Sequence, residues 1–120
     1  LGAAAALASL DIFEREQTLR RIVPRIEQLH DHLQAIARHP FVGDVRQRGL
    51  MVGIEIVRDA KSKEPAPEEA GRMRSALREK GVLIGVGGAL ANVIRIQPPL
   101  IISENELERV TSLLKEVMEG

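Results

Sequence analysis

The 120 residues are 44 % hydrophobic and 28 % charged, with 17 basic groups balanced by 17 acidic ones. That length suits one compact domain, burying roughly two-thirds of its extended-chain surface, and zero net charge removes the electrostatic basis for non-specific nucleic-acid binding. Two Phe with no Tyr or Trp leave little to stack bases, zero Cys excludes disulfides and thiolate metal sites, and no apolar run approaches the roughly 20 residues of a membrane span.

The chain opens on Leu1 rather than Met, with no charged, signal-like region before an apolar core, and reads as a piece of something longer. The lack of cysteine fits a reducing compartment, so the expected location is cytoplasmic. Residues 3–16 predict a helix: Ala3 to Ala6, Leu7 and Ala8 are strong formers, and Asp11, Glu14, Arg15 and Glu16 wet its later turns. Its opening turns are small and apolar nearly all round, a surface that normally packs against another body.

A second helix follows, with Leu19, Ile22, Val23, Ile26, Leu29, Leu33 and Ile36 spaced by three and four. Thr18 is the expected N-cap, Pro24 demands a break between Gln17 and Pro24, and His39-Pro40 closes the helix. The period then changes to two. Leu50, Val52, Ile54 and Ile56 alternate with Met51, Gly53, Glu55 and Val57 in a half-buried strand, preceded by a shorter extended segment over 42–48. A polar loop runs from Arg58 to Pro67.

Glu68 and Glu69 open a helix striped by Ala70, Met73, Ala76 and Leu77 and closed at Lys80-Gly81. Residues 82–86 and 93–97 predict two short strands, taken as antiparallel, joined by a loop over 87–92. Ser103 and Glu106 form a capping box ahead of a helix that turns Leu107, Val110, Leu114 and Val117 inward. This order predicts an α+β fold: a small, mainly antiparallel sheet with helices packed on it, preceded by a long linking helix.

His30 and His32 are two apart on a helix, about 200° around its axis, and so do not share a metal. Gly85-Val86-Gly87-Gly88 invites a phosphate-loop reading, but it leads to a strand and not to a helix N-terminus, so a turn with positive φ is the plainer account. Lys61, Lys63, Lys80 and Lys115 occupy a charged loop, a helix end and a wet helix face, none suited to an activated nucleophile. Arg95 points away from the face that carries Ile94 and Ile96. It is either an ordinary exposed strand arginine or a guanidinium fork for a carboxylate.

Residues 42–55, Val-Gly-Asp-Val-Arg-Gln-Arg-Gly-Leu-Met-Val-Gly-Ile-Glu, resemble the VGDVRGxGLMxGIE segment of class III aminotransferases. Residues 93–100, Val-Ile-Arg-Ile-Gln-Pro-Pro-Leu, resemble that family's xxRxxPPL strand, and the intervening KEP and GVLIGVGG keep its order. Gln47 departs from the pattern, standing where a glycine is common.

The resemblance implies the C-terminal small domain of a fold type I, pyridoxal-phosphate-dependent enzyme related to the 4-aminobutyrate, ornithine, alanine–glyoxylate and diaminopelargonate aminotransferases. Residues 1–17 would be the linking helix from a missing large domain, and residues 18–120 the small domain. The cofactor and its Schiff-base lysine would belong to the missing part, leaving no catalytic or cofactor-binding residue here. Arg95 alone carries over, as the substrate-carboxylate ligand.

The whole enzyme is expected to move an amino group from an amino acid or amine to a keto acid, to work as a homodimer, and to need no nucleic acid or membrane. The fragment alone is expected to be inert. The alternatives are a non-catalytic interaction module on the same fold, or a related racemase or aminomutase.

Overall fold

The computed structural model describes residues 1–120. Five helices and four strands follow in chain order: α1 (Gly2–Arg15), α2 (Thr18–Arg21), α3 (Val23–Ile36), β1 (Val42–Arg48), β2 (Met51–Ile56), α4 (Pro67–Glu79), β3 (Gly85–Gly87), β4 (Val93–Ile96) and α5 (Glu104–Glu119). The strands form one antiparallel sheet in the order β1-β2-β4-β3. The expected α+β class and the antiparallel pairing of the last two strands both hold.

Helices α3, α4 and α5 cover one face of this sheet. Val52, Ile54 and Ile56 of β2 and Ile94 and Ile96 of β4 point into a core shared with Leu29, Met73, Leu77, Leu107 and Leu114. A two-residue turn joins β1 to β2, with Arg48 paired to Met51 and Gly49 at φ +60, the left-handed first position that primed hairpin turns give to glycine. The capping box is formed: Ser103 Oγ accepts from the Glu106 amide at 3.2 Å, and the Ser103 amide donates to Glu106 Oε2 at 2.8 Å. Ion pairs then tie α5 to both neighbours, Arg25–Glu104 at 3.5 Å toward α3 and Lys80–Glu116 at 2.8 Å toward α4.

Four local expectations need correction. Thr18 is not an N-cap; Gln17 precedes α2 in a left-handed conformation (φ 51), and Thr18 is its buried first residue. The extended segment over 42–48 is the longer strand of its hairpin, seven residues against six. Strand β3 begins at Gly85 and not at 82, because only residues 85–87 find partners on β4. Val57, expected on the wet side, is fully buried where it leaves the sheet to bridge Pro65.

The anticipated helix break occurs at Gln17 and again at Ile22, which places Pro24 in the first turn of α3, where its missing N–H costs nothing. The loop between β3 and β4 ends on Asn92, which is buried. Its Nδ2 donates to the Ile56 carbonyl at 2.9 Å while its own carbonyl accepts from the Ile56 amide at 2.8 Å. Helix α1 contributes no buried residue, with Leu7 69 % and Leu10 62 % exposed. No helix is long and apolar enough to cross a membrane.

Candidate functional site

The face of the sheet opposite the helices is mainly charged, with Met51 and Val93 as its apolar members. Register places its side chains in rows across the strands. Arg46 pairs with Gly53, Gly53 with Arg95, and Arg95 with Gly85. In the next row Asp44 pairs with Glu55, Glu55 with Val93, and Val93 with Gly87. Met51 and Gln97 continue the face at its other end, around a hollow of about 310 Å³ that Arg46, Gly53 and Arg95 also line.

Two arginines of one row have opposite surroundings. Arg46 Nη1 donates to Asp44 Oδ2 at 2.7 Å and to Glu55 Oε2 at 3.3 Å. The hydrogen bond it donates to Asp44, then that to Glu55, holds its pKa above the ordinary arginine value, so its charge is answered within the sheet. Arg95 is exposed and has no carboxylate within 4.0 Å. Its guanidinium lies against Gly85 and Gly87 of the neighbouring strand. An unpaired fork on an open strand face can take a carboxylate in bidentate fashion, and Arg46 is too well paired to compete.

A larger groove of about 800 Å³ runs between α3 and β1, lined by Glu27, His30, Asp31 and Gln34 among others. Its neutral polar side chains answer one another and the backbone: His30 Nδ1 meets Gln47 Oε1 at 3.2 Å, and Gln47 Nε2 donates to the Ile26 carbonyl at 3.1 Å. The charges left unpaired in this groove, Glu27 and Asp31, are acidic and repel an anion. The unpaired charge of Arg95 on the sheet face attracts one, and the candidate site is placed there. His32 turns the other way, between Thr111 Oγ1 at 2.7 Å and Glu108 Oε2 at 3.1 Å, and ties α3 to α5.

The class III aminotransferase profile matches residues 1–118. The chain belongs to the class III aminotransferase family. It is 43 % identical over 117 residues to the adenosylmethionine-8-amino-7-oxononanoate aminotransferase of Methanocaldococcus jannaschii, covering 95 % of this chain and 25 % of that protein. It is 40 % identical over 105 residues to alanine–glyoxylate aminotransferase 2 homolog 2 of Arabidopsis thaliana, covering 87 % of this chain and 22 % of that one.

The crystal structure of the M. jannaschii enzyme superposes with a TM-score of 0.88 at 42 % identity, over 96 % of this chain and 26 % of the solved one. A phospholyase from Arthrobacter in complex with phosphoethanolamine superposes at 0.90 and 31 % identity, over 98 % and 28 %. The chain thus spans about a quarter of the length of the curated relatives it matches.

Class III aminotransferases use pyridoxal phosphate, and these residues do not fit a site for it. Lys61, Lys63, Lys80 and Lys115 are all exposed, with Lys80 engaged by Glu116, and a Schiff-base lysine needs a desolvated pocket. Gly85–Gly87 is strand β3, and the turn after it, with Gly88 at φ +85, leads into β4. A phosphate cradle instead needs a helix N-terminus there.

Alternation along β4 already indicated Arg95's outward direction. The glycines beneath it were missed as part of the site, although two glycines two apart in a strand, Gly85 and Gly87, are the signal of one face stripped of side chains.

Proposed function

We propose that the complete protein is a pyridoxal-phosphate-dependent aminotransferase, transferring an amino group from an amino acid or amine to a keto acid. Arg95 binds a carboxylate of the substrate. The cofactor supplies the electron sink, on a part of the enzyme outside these residues. The present region contributes closure over the site and the carboxylate contact. Residues 1–17 form the link to a large domain, residues 18–120 form the small domain, and the enzyme works as a homodimer. Alone, these 120 residues are inactive.

The observation that carries this reading is the family match over residues 1–118, joined to an unpaired guanidinium on the open face of the sheet. The test is the half-reaction of the complete enzyme with amino-acid donors and with amines that lack the carboxylate, for the parent and for Arg95→Ala. Selective loss of the carboxylate donors supports the reading. Equal loss on both, or none on either, makes Arg95 structural.

The likeness to a phospholyase favours a second reading, in which the same fold serves elimination from a phosphorylated amine. Release of inorganic phosphate from phosphoethanolamine, without amino transfer to pyruvate or 2-oxoglutarate, would select it.

A further inference from the structure

Strand β3 reads Gly85-Val86-Gly87, so its inner face carries Val86 and its open face carries no side chain at all. Its two glycines are not required by the backbone. The glycines at positive φ are Gly49, Gly81 and Gly88, and neither Gly85 nor Gly87 is among them. Glycine in a strand interior carries an entropic cost and packs nothing, whereas a β-branched residue would favour the strand. Gly87 therefore has no fold-level explanation of the kind Gly88 has, where a left-handed turn (φ +85) and Val93 Cγ2 at 2.9 Å from a built Cβ both exclude a side chain.

The space left bare is taken by Arg95. A Cβ on Gly87 would lie 3.2 Å from both Cζ and Nε of Arg95 and 3.4 Å from Nη2. On Gly85 it would lie 3.5 Å from Nε and Nη2. The guanidinium thus crosses from β4 over its cross-strand partner Gly85 and rests on Gly87. With no ion pair to choose its rotamer, the bare stretch of β3 is the restraint on a side chain that otherwise has wide conformational freedom.

We infer that Gly87, with Gly85 behind it, is a positioning residue that sets the direction in which Arg95 presents its fork to a substrate carboxylate. This rests on the reading of Arg95 as the carboxylate ligand. A methyl group at 87 moves the guanidinium by a few tenths of an ångström. An isopropyl group at 87 forces Arg95 into another rotamer, although the extended backbone there suits valine well.

The experiment uses the complete, cofactor-loaded enzyme with four variants: Gly87→Ala, Gly87→Val, Arg95→Ala, and Gly87→Val combined with Arg95→Ala. The probes are amino-acid donors with their decarboxylated counterparts, L-alanine with ethylamine and 4-aminobutyrate with propylamine, read as single half-reactions. Gly87→Val is expected to raise KM for the carboxylate donor by about ten- to a hundredfold, the cost of misplacing a binding group by an ångström or so. The paired amine and Tm stay where they were, and Gly87→Ala moves the same way by less.

In the Arg95→Ala background, adding Gly87→Val changes nothing further, since the group it positions is gone. The inference is overturned if Gly87→Val shifts amine and carboxylate donors together, or if its effect survives the loss of Arg95. It also falls if Arg95→Ala discriminates between the donors and Gly87→Val does not, and then the carboxylate reading stands without it. If Arg95→Ala fails to discriminate, the carboxylate reading falls and the inference with it. Should Gly87→Val lower Tm, the Gly87→Ala donor ratio decides, because its methyl group makes the same contact on an unstrained backbone.

Discussion

Ile94 and Arg95 are neighbours in the chain and face opposite sides of one sheet. The Ile94 side is sealed beneath α3, α4 and α5, and every large residue there touches hydrocarbon. The Arg95 side is open and patterned by charge and by missing side chains: a paired arginine, a glycine, an unpaired arginine and a second glycine cross it in a single row. The first face is where burial stabilises the fold, and the second is free to vary because little stability depends on it.

Substitutions on either side test that division. The largest effect belongs to Arg95→Ala in the complete enzyme. Leaving a substrate carboxylate without its charged partner costs roughly 2–5 kcal/mol, so kcat/KM for a carboxylate donor falls by about 30- to 5,000-fold. Lysine rescues only part of this, keeping charge without the fork. Urea unfolding of the same variant stays within about 0.5 kcal/mol of the parent, as for an exposed position outside the core. One residue earlier, Ile94→Ala reverses the pattern and costs about 2–5 kcal/mol in unfolding free energy measured by urea, through lost transfer energy and the cavity left behind.

The helices sharpen the contrast between buried and open surface. Amide exchange is expected to be fast along α1, which buries nothing, and slow along α5, which buries Leu107, Thr111, Leu114, Val117 and Met118. The alternative outcome is self-association through α1. Sedimentation showing a clean monomer with α1 strongly protected would contradict both. At the head of α5, Ser103→Ala removes the side-chain half of the capping box and costs about 0.5–2 kcal/mol in thermal unfolding.

The smallest effect is acidic. Hydrogen bonds from Ser103 lower the pKa of Glu106, and the hydrogen bond from Arg72 lowers that of Glu69. A lowered folded-state pKa means that the folded chain binds fewer protons than the unfolded one. The contribution is complete above the usual carboxylate range and is lost as pH falls through the lowered values. Tm should be flat near neutrality and decline only on acidification, with a shallower decline in Glu106→Gln.

Elements whose identity is local were legible in the sequence. Helix α5 has a 3.6-residue stripe and a capping box, and β2 alternates cleanly, so burial of Val52, Ile54 and Ile56 followed from the pattern. Strand β3 has no such signature, since two of its three residues are glycine and only pairing with β4 makes it a strand. The Thr18 cap failed for a related reason: Gln17 turns the chain through a left-handed conformation that glycine or asparagine would have announced, and the side chain of Thr18 goes inward. At the site, the direction of Arg95 could be read from its own strand. The bareness of the surface on which it rests is signalled by Gly85 and Gly87, but its place beside Arg95 is not, because cross-strand neighbours ten residues away are a property of register.

The bond pair between Asn92 and Ile56 has a consequence for how this region can change over generations. It anchors the end of the β3–β4 loop to the far end of β2, independently of what lies between Gly88 and Ala91. Those intervening residues are exposed and hold no part of the core. Insertions there can lengthen the loop beside the arginine without shifting the β4 register, since each doubling of length adds only about 0.6 kcal/mol of closure cost. Asn92 thus lets the length and composition of the loop change while the sheet beneath keeps its alignment.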